Sequence, residues 1–106
     1  MEWTIKRDGI DERLMVAATG DCDLYDAPRF ARAVLDELRP GVRRIGVDLS
    51  GVAYLDSTGV GALIRILQEA RRIGAELRFR GVAGSPRRVL AMSGILGVMV
   101  EAEDPR

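Results

Sequence analysis

The sequence predicts an α/β fold: a single mixed, mostly parallel β-sheet with helices packed against it. Three observations lead there. Short apolar runs at residues 14–18, 45–49, 77–79 and 95–100 have the length and patterning of strands. Stretches with helical apolar spacing alternate with them. The resulting order is strand, strand, helix, strand, helix, strand, helix, strand. Alternation of this kind calls for right-handed crossovers between parallel neighbours.

Residues 3–7 alternate weakly and read as a first strand, closed by the turn dipeptide Asp8-Gly9. Residues 14–18 (Leu-Met-Val-Ala-Ala) are continuously apolar, the expected pattern of a strand covered on both faces. The two strands suggest a hairpin. Residues 19–23 read as a polar turn. Ala27, Phe30, Ala31, Val34, Leu35 and Leu38 then recur at helical spacing, with Pro28 tolerated in the first turn. Pro40-Gly41 stops that helix.

Ile45, Val47 and Leu49 alternate with Arg44, Gly46 and Asp48, a third strand. Val60, Leu63, Ile64, Leu67 and Ala70 form the apolar stripe of the next helix, which Gly74 ends. Leu77 and Phe79 alternate with charged residues in a fourth strand. Ser85-Pro86 reads as a cap followed by proline at the first helical position. Val89, Leu90 and Met92 continue that helix to Ser93-Gly94. Residues 95–100 read as a last strand and 101–106 as a polar tail.

A length of 106 residues suits one domain spanning residues 1–106. The net charge is zero, so nothing global draws the chain to nucleic acid or acidic lipid. Its bases are one lysine, Lys6, and fifteen arginines. Seven arginines between Arg65 and Arg88 face only Glu69 and Glu76. That run reads first as a solvated rim, with an anion-binding face as the sharper alternative. One cysteine, Cys22, makes no internal disulfide and reads as a small half-buried residue. With neither a signal-peptide layout nor an apolar run near the ~20 residues of a membrane span, the expected location is the cytoplasm, without membrane or direct nucleic-acid contact.

The chain holds no histidine, which removes Ser-His-Asp and Cys-His catalysis and histidine metal sites. The common phosphate-binding glycine motifs are absent, and Ser57 is not in a G-x-S-x-G elbow. Asp48 ends a strand, but a phosphoaspartate switch also needs a late lysine, and Lys6 is the only lysine. Asp21, Asp23 and Asp56 could gather at one end of the sheet to hold Mg2+, yet turn and cap roles explain all three. No cofactor or metal is expected, and the reading points away from an enzyme.

The most informative stretch is Tyr-Leu-Asp-Ser-Thr-Gly-Val-Gly at residues 54–61. Ser57 and Thr58 fall where a helix begins, beside Asp56. A hydroxyl there suits a phosphate, because free N–H groups and the helix dipole favour negative charge. It equally suits an ordinary N-cap. Gly59 and Gly61 suit either close approach of a partner or tight packing of helix on sheet.

These motifs, in order, resemble the STAS domains, in particular bacterial anti-sigma-factor antagonists. Residues 20–23 (Gly-Asp-Cys-Asp) are similar to the family's turn after the second strand. Residues 47–61 resemble its signature strand, loop and helix start. Residues 85–90 with 92–94 resemble its late helix. The resemblance implies a phosphorylation-controlled partner switch. The unphosphorylated form would bind an anti-sigma-factor serine kinase of the histidine-kinase-like ATPase type and so free a sigma factor. Phosphorylation of Ser57 would release the kinase, and a PP2C-like phosphatase would reset the cycle. Asp21, Asp23, Asp56, Thr58, Gly59 and Val60 would then lie at the partner surface. The alternative is a non-switching STAS scaffold subunit of a lipid-transport or stress-signalling complex.

Overall fold

The computed structural model describes residues 1–9, 12–95 and 100–101. Five strands form one sheet in the order β1 (Glu2–Asp8), β2 (Arg13–Cys22), β3 (Arg44–Leu55), β4 (Glu76–Arg80), β5 (Val100–Glu101). β1 pairs antiparallel with β2, and every other pair is parallel. The helices are α1 (Ala27–Leu35), α2 (Ser57–Arg72) and α3 (Gly84–Met92). The expected mixed, mostly parallel sheet and its element order are therefore present. The expected strand at 95–100 coincides with β5 only at Val100; residues 96–99 and 102–106 lie outside the described residues.

Each crossover steps one strand in the same direction across the sheet. Right-handed connections then carry all three helices to the same face. The burial pattern follows. Leu14, Ile45 and Leu77 stand in register across β2, β3 and β4, as do Val16, Val47 and Phe79, and all six are buried. Ala27, Phe30, Ala31 and Val34 of α1 and Gly59, Val60, Ala62, Leu63, Ile66 and Ala70 of α2 close this core. Phe30 meets Trp3 edge-to-face with ring centroids 5.6 Å apart, tying α1 to β1. Each large side chain removed from water here contributes about 1.5–3 kcal/mol.

The same topology corrects the expectation that residues 14–18 are covered on both faces. Met15 and Ala17 point to the other side, where Met15 is 44% exposed. The apolar run misled because alanine and methionine are tolerated on an open face. Three boundaries also move. Residues 19–22 are not a turn but the end of β2, and β3 runs on to Leu55. Register shifts between Ala17 and Thr19 and between Gly20 and Asp21 keep the two strands paired. Gly51 allows this, since a Cβ there would lie 2.5 Å from Thr19 Cγ2. Helix α1 stops at Leu35, three residues short of Leu38, which is buried beyond the helix. Helix α3 starts at Gly84 after an extended Ala83, so Ser85 does not cap it.

Candidate functional site

Cys22 and Leu55 are register partners, so the C-terminal ends of β2 and β3 lie side by side. Two segments distant in sequence leave the sheet together there: residues 23–26, which lead into α1, and residues 56–57, which open α2. The Asp56 N–H donates to the Cys22 carbonyl at 3.3 Å, joining them.

Asp56 is the N-cap of α2. Its backbone is extended and its carboxylate accepts from the Gly59 N–H at 2.9 Å. Of the two readings open for Ser57, this removes the N-cap. Ser57 is the first helical residue and is exposed; Thr58 beside it is half-buried. The first turn of α2 carries no acidic residue, while Arg71 and Arg72 occupy its last turn, as the helix dipole favours.

The two glycines have different surroundings. Gly59 is buried, and a Cβ on it would fall 2.6 Å from the Cys22 carbonyl oxygen and 2.5 Å from Leu55 Cδ1. It seats the helix on the strand ends. A Cβ on Gly61 would meet nothing within 4 Å. Val60 is 6% exposed and faces the core.

Asp23 builds the turn before α1: its Oδ1 accepts from the N–H groups of Tyr25 at 3.1 Å and Asp26 at 3.3 Å. Asp21 is exposed and in register with Tyr54. Among the described residues no three histidine, cysteine or acidic side chains form a group able to hold a metal ion, so Asp21, Asp23 and Asp56 do not gather as a Mg2+ cluster. Asp26 is held below the usual carboxylate range by hydrogen bonds from the Met1 ammonium and from Arg29, both at 3.1 Å.

Cys22 is buried rather than half-buried. Burial, then the negative charges of Asp56, Asp23 and Asp26, push its thiol up to about 11. The thiol thus reports an acidic environment at this end of the sheet and is poorly suited to redox sensing.

Sequence reasoning passed over three exposed large apolar residues at this end. Leu24 is 68% exposed, Tyr25 84% and Tyr54 48%. The available signal was the pair Leu24-Tyr25 inside a polar turn, outside the helical stripe. The arginines between Arg65 and Arg88 do not form one face. They divide among α2, the uncovered side of β4, and α3.

A one-sided mixed sheet whose second helix is capped by Asp56 and begins at an exposed Ser57 defines the class: a small α/β domain that displays a serine at a helix start. The chain belongs to the STAS domain family; residues 5–101 match the family model described as "Mlab, STAS domain". It is similar to the anti-sigma-B factor antagonist of Staphylococcus aureus (strain NCTC 8325 / PS 47), at 29% identity over 89 residues, 84% of this chain and 82% of that one. Its fold matches the anti-sigma factor antagonist SpoIIAA in the unphosphorylated form, with a TM-score of 0.81 at 16% identity over 97% of this chain and 90% of that one. It also matches the phosphorylated form of SpoIIAA, described as a Bacillus cell fate determinant, with a TM-score of 0.72 at 16% identity over 97% and 93%. Among the described residues no helix is long and apolar enough to cross a membrane.

Proposed function

We propose that this chain is an anti-sigma-factor antagonist worked by a phosphate on Ser57, a regulatory binding protein rather than an enzyme. Unphosphorylated, it docks an anti-sigma-factor serine kinase of the histidine-kinase-like ATPase type in the cytoplasm and frees a sigma factor. Phosphorylation of Ser57 by that kinase ends the contact, and a PP2C-like phosphatase restores it. The observation that carries this reading is that Asp56, not Ser57, caps α2. Ser57 is exposed and the cap bond is made by Asp56 rather than by its hydroxyl, as suits a modifiable group.

The surroundings suit the switch. Leu24, Tyr25 and Tyr54 are exposed at the same end of the sheet as the start of α2, and aromatic residues often anchor interfaces. Asp21, Asp23, Asp56 and Thr58 supply the polar surround. Gly59 and Val60 act from beneath, by setting the position of the helix. A phosphate adds about −1.5 to −2 charge. The helix start tolerates it in the free protein. In a docked complex it meets desolvation and the acidic surround, and a loss of about 2.8 kcal/mol is already a hundredfold in affinity.

The test is capture from the lysate of the native cell with wild-type and Ser57→Asp protein, read by mass spectrometry. Recovery of a kinase-like ATPase by wild type and its loss with Ser57→Asp is the expected result. Equal recovery of transporter or scaffold components by both proteins overturns the switch in favour of a non-switching scaffold subunit.

A further inference from the structure

β1 ends the sheet on one side, and among the described residues its only strand neighbour is β2. We propose that this edge is a dimer interface: β1 pairs antiparallel with β1 of a second copy of the chain, in the two-fold register that sets Thr4 opposite Thr4.

The strand runs seven residues, Glu2–Asp8. Its ladder to β2 is continuous from Glu2↔Thr19 to Asp8↔Arg13, with no register shift. It contains no proline. Edges that must stay unpaired are usually short, bulged, interrupted by proline or charged. This edge is long, regular and proline-free, so its charges decide what it accepts.

Trp3 and Ile5 pack against the core, so Glu2, Thr4 and Lys6 alternate onto the side of the sheet away from the helices. All three are exposed. Among the described residues neither Glu2 nor Lys6 has an ion-pair or hydrogen-bond partner for its side chain. The two are roughly 13 Å apart along an extended strand, too far to pair with each other. Pairing about Thr4 brings Glu2 directly opposite Lys6 of the second copy, at a Cα separation of about 4.5–5.5 Å. Two-fold symmetry makes the contact twice. The neighbouring registers do not. Centred on Ile5, pairing sets Glu2 against Asp8 of the second copy, two like charges. Centred on Trp3, it sets Glu2 against Thr4 and matches no charges.

The helix side of the same register is also complementary. Trp3 and Ile5 are packed on the core but only partly buried. Trp3 comes to stand opposite Ile5 of the second copy, and an aromatic against a β-branched side chain is a favourable cross-strand pair. Phe30 already holds the Trp3 ring edge-to-face, so this apolar surface is preformed. β2 separates the edge from β3, which leads to Ser57, so the pairing makes no use of the phosphate site.

The test is sedimentation equilibrium over a micromolar-to-millimolar concentration series, with amide chemical shifts recorded along it. A reversible monomer–dimer equilibrium is expected, with concentration-dependent shifts centred on residues 2–6. Lys6→Glu puts like charges opposite at both symmetric contacts and should weaken dimerisation at least about tenfold, as should Glu2→Lys. The double variant Glu2→Lys/Lys6→Glu keeps the net charge of wild type and should restore the dimer. An equimolar mixture of the two single variants should form a mixed dimer, since each supplies the charge the other lacks. Circular dichroism establishes that every variant is folded. A wild-type chain that stays monomeric, shifts centred elsewhere, single variants that dimerise as wild type does, or a double variant without rescue overturns the proposal.

Discussion

The carboxylate of Asp56 and the backbone N–H of Gly59 are joined by a 2.9 Å hydrogen bond, and that bond relieves Ser57 of the capping task. Structure and modification are thereby assigned to adjacent residues. Removing the cap should cost stability, whereas changing the hydroxyl should not. In urea denaturation, Asp56→Ala should lose about 1 kcal/mol and Asp56→Asn far less, since asparagine also caps. Ser57→Ala and Ser57→Asp should stay within about 0.5 kcal/mol of wild type, as surface changes do. A Ser57→Ala loss as large as that of Asp56→Ala would return the cap to Ser57.

The two glycines of α2 should respond in opposite directions. Gly59→Ala forces a methyl against the Cys22 carbonyl, a backbone atom that cannot swing aside, and should cost about 1–3 kcal/mol. Gly61→Ala meets open space and should gain about 0.5–1 kcal/mol from helix propensity. Thermal denaturation of the two variants checks this. If a partner lies close over α2, Gly61→Ala should weaken binding despite the gain in stability.

Much of this was legible in the sequence because apolar periodicity survives folding. The strands at 45–49 and 77–79, the helix after Ser57 and the mixed sheet follow from patterning alone. The ends were harder. Ser50-Gly51 and Thr19-Gly20 carry turn chemistry, yet here they sit where β2 and β3 shift register, so both strands run further than the pattern suggests. The face of α2 was also slightly rotated in the reading. Ile66 is buried, while Ile64 and Leu67 are only partly so. The cap stayed open between Asp56 and Ser57 because both are good capping residues, and only backbone geometry separates them.

Asp23 structures a turn, which changes how it should be probed. Asp23→Ala removes the acceptor for two N–H groups and should cost about 1 kcal/mol, so any binding defect would be ambiguous. Asp23→Asn keeps the oxygen and removes the charge. It should retain wild-type stability in denaturation while changing partner affinity, measured by titration calorimetry. Unchanged affinity would take the charge of Asp23 out of the interface.

The Cys22 thiol links stability to alkaline pH. Its ordinary value is 9.0, and burial raises it to about 11 in the folded chain. Below pH 9 both states hold the proton. Between these values the unfolded chain releases it first, so the unfolded state binds fewer protons and stability falls as pH rises. Denaturation midpoints should drop across that window in wild type and drop less in Cys22→Ala. Parallel pH profiles would show that the thiol is not the group responsible.

The most direct measurement is the affinity of the captured kinase for this chain with and without phosphate on Ser57, by titration calorimetry, with circular dichroism to establish that both forms are folded. A loss of about a hundredfold or more on phosphorylation, with the fold intact, is the predicted result. Equal affinity for the two folded forms would contradict the switch and leave Ser57 as an exposed helix residue at a constitutive interface.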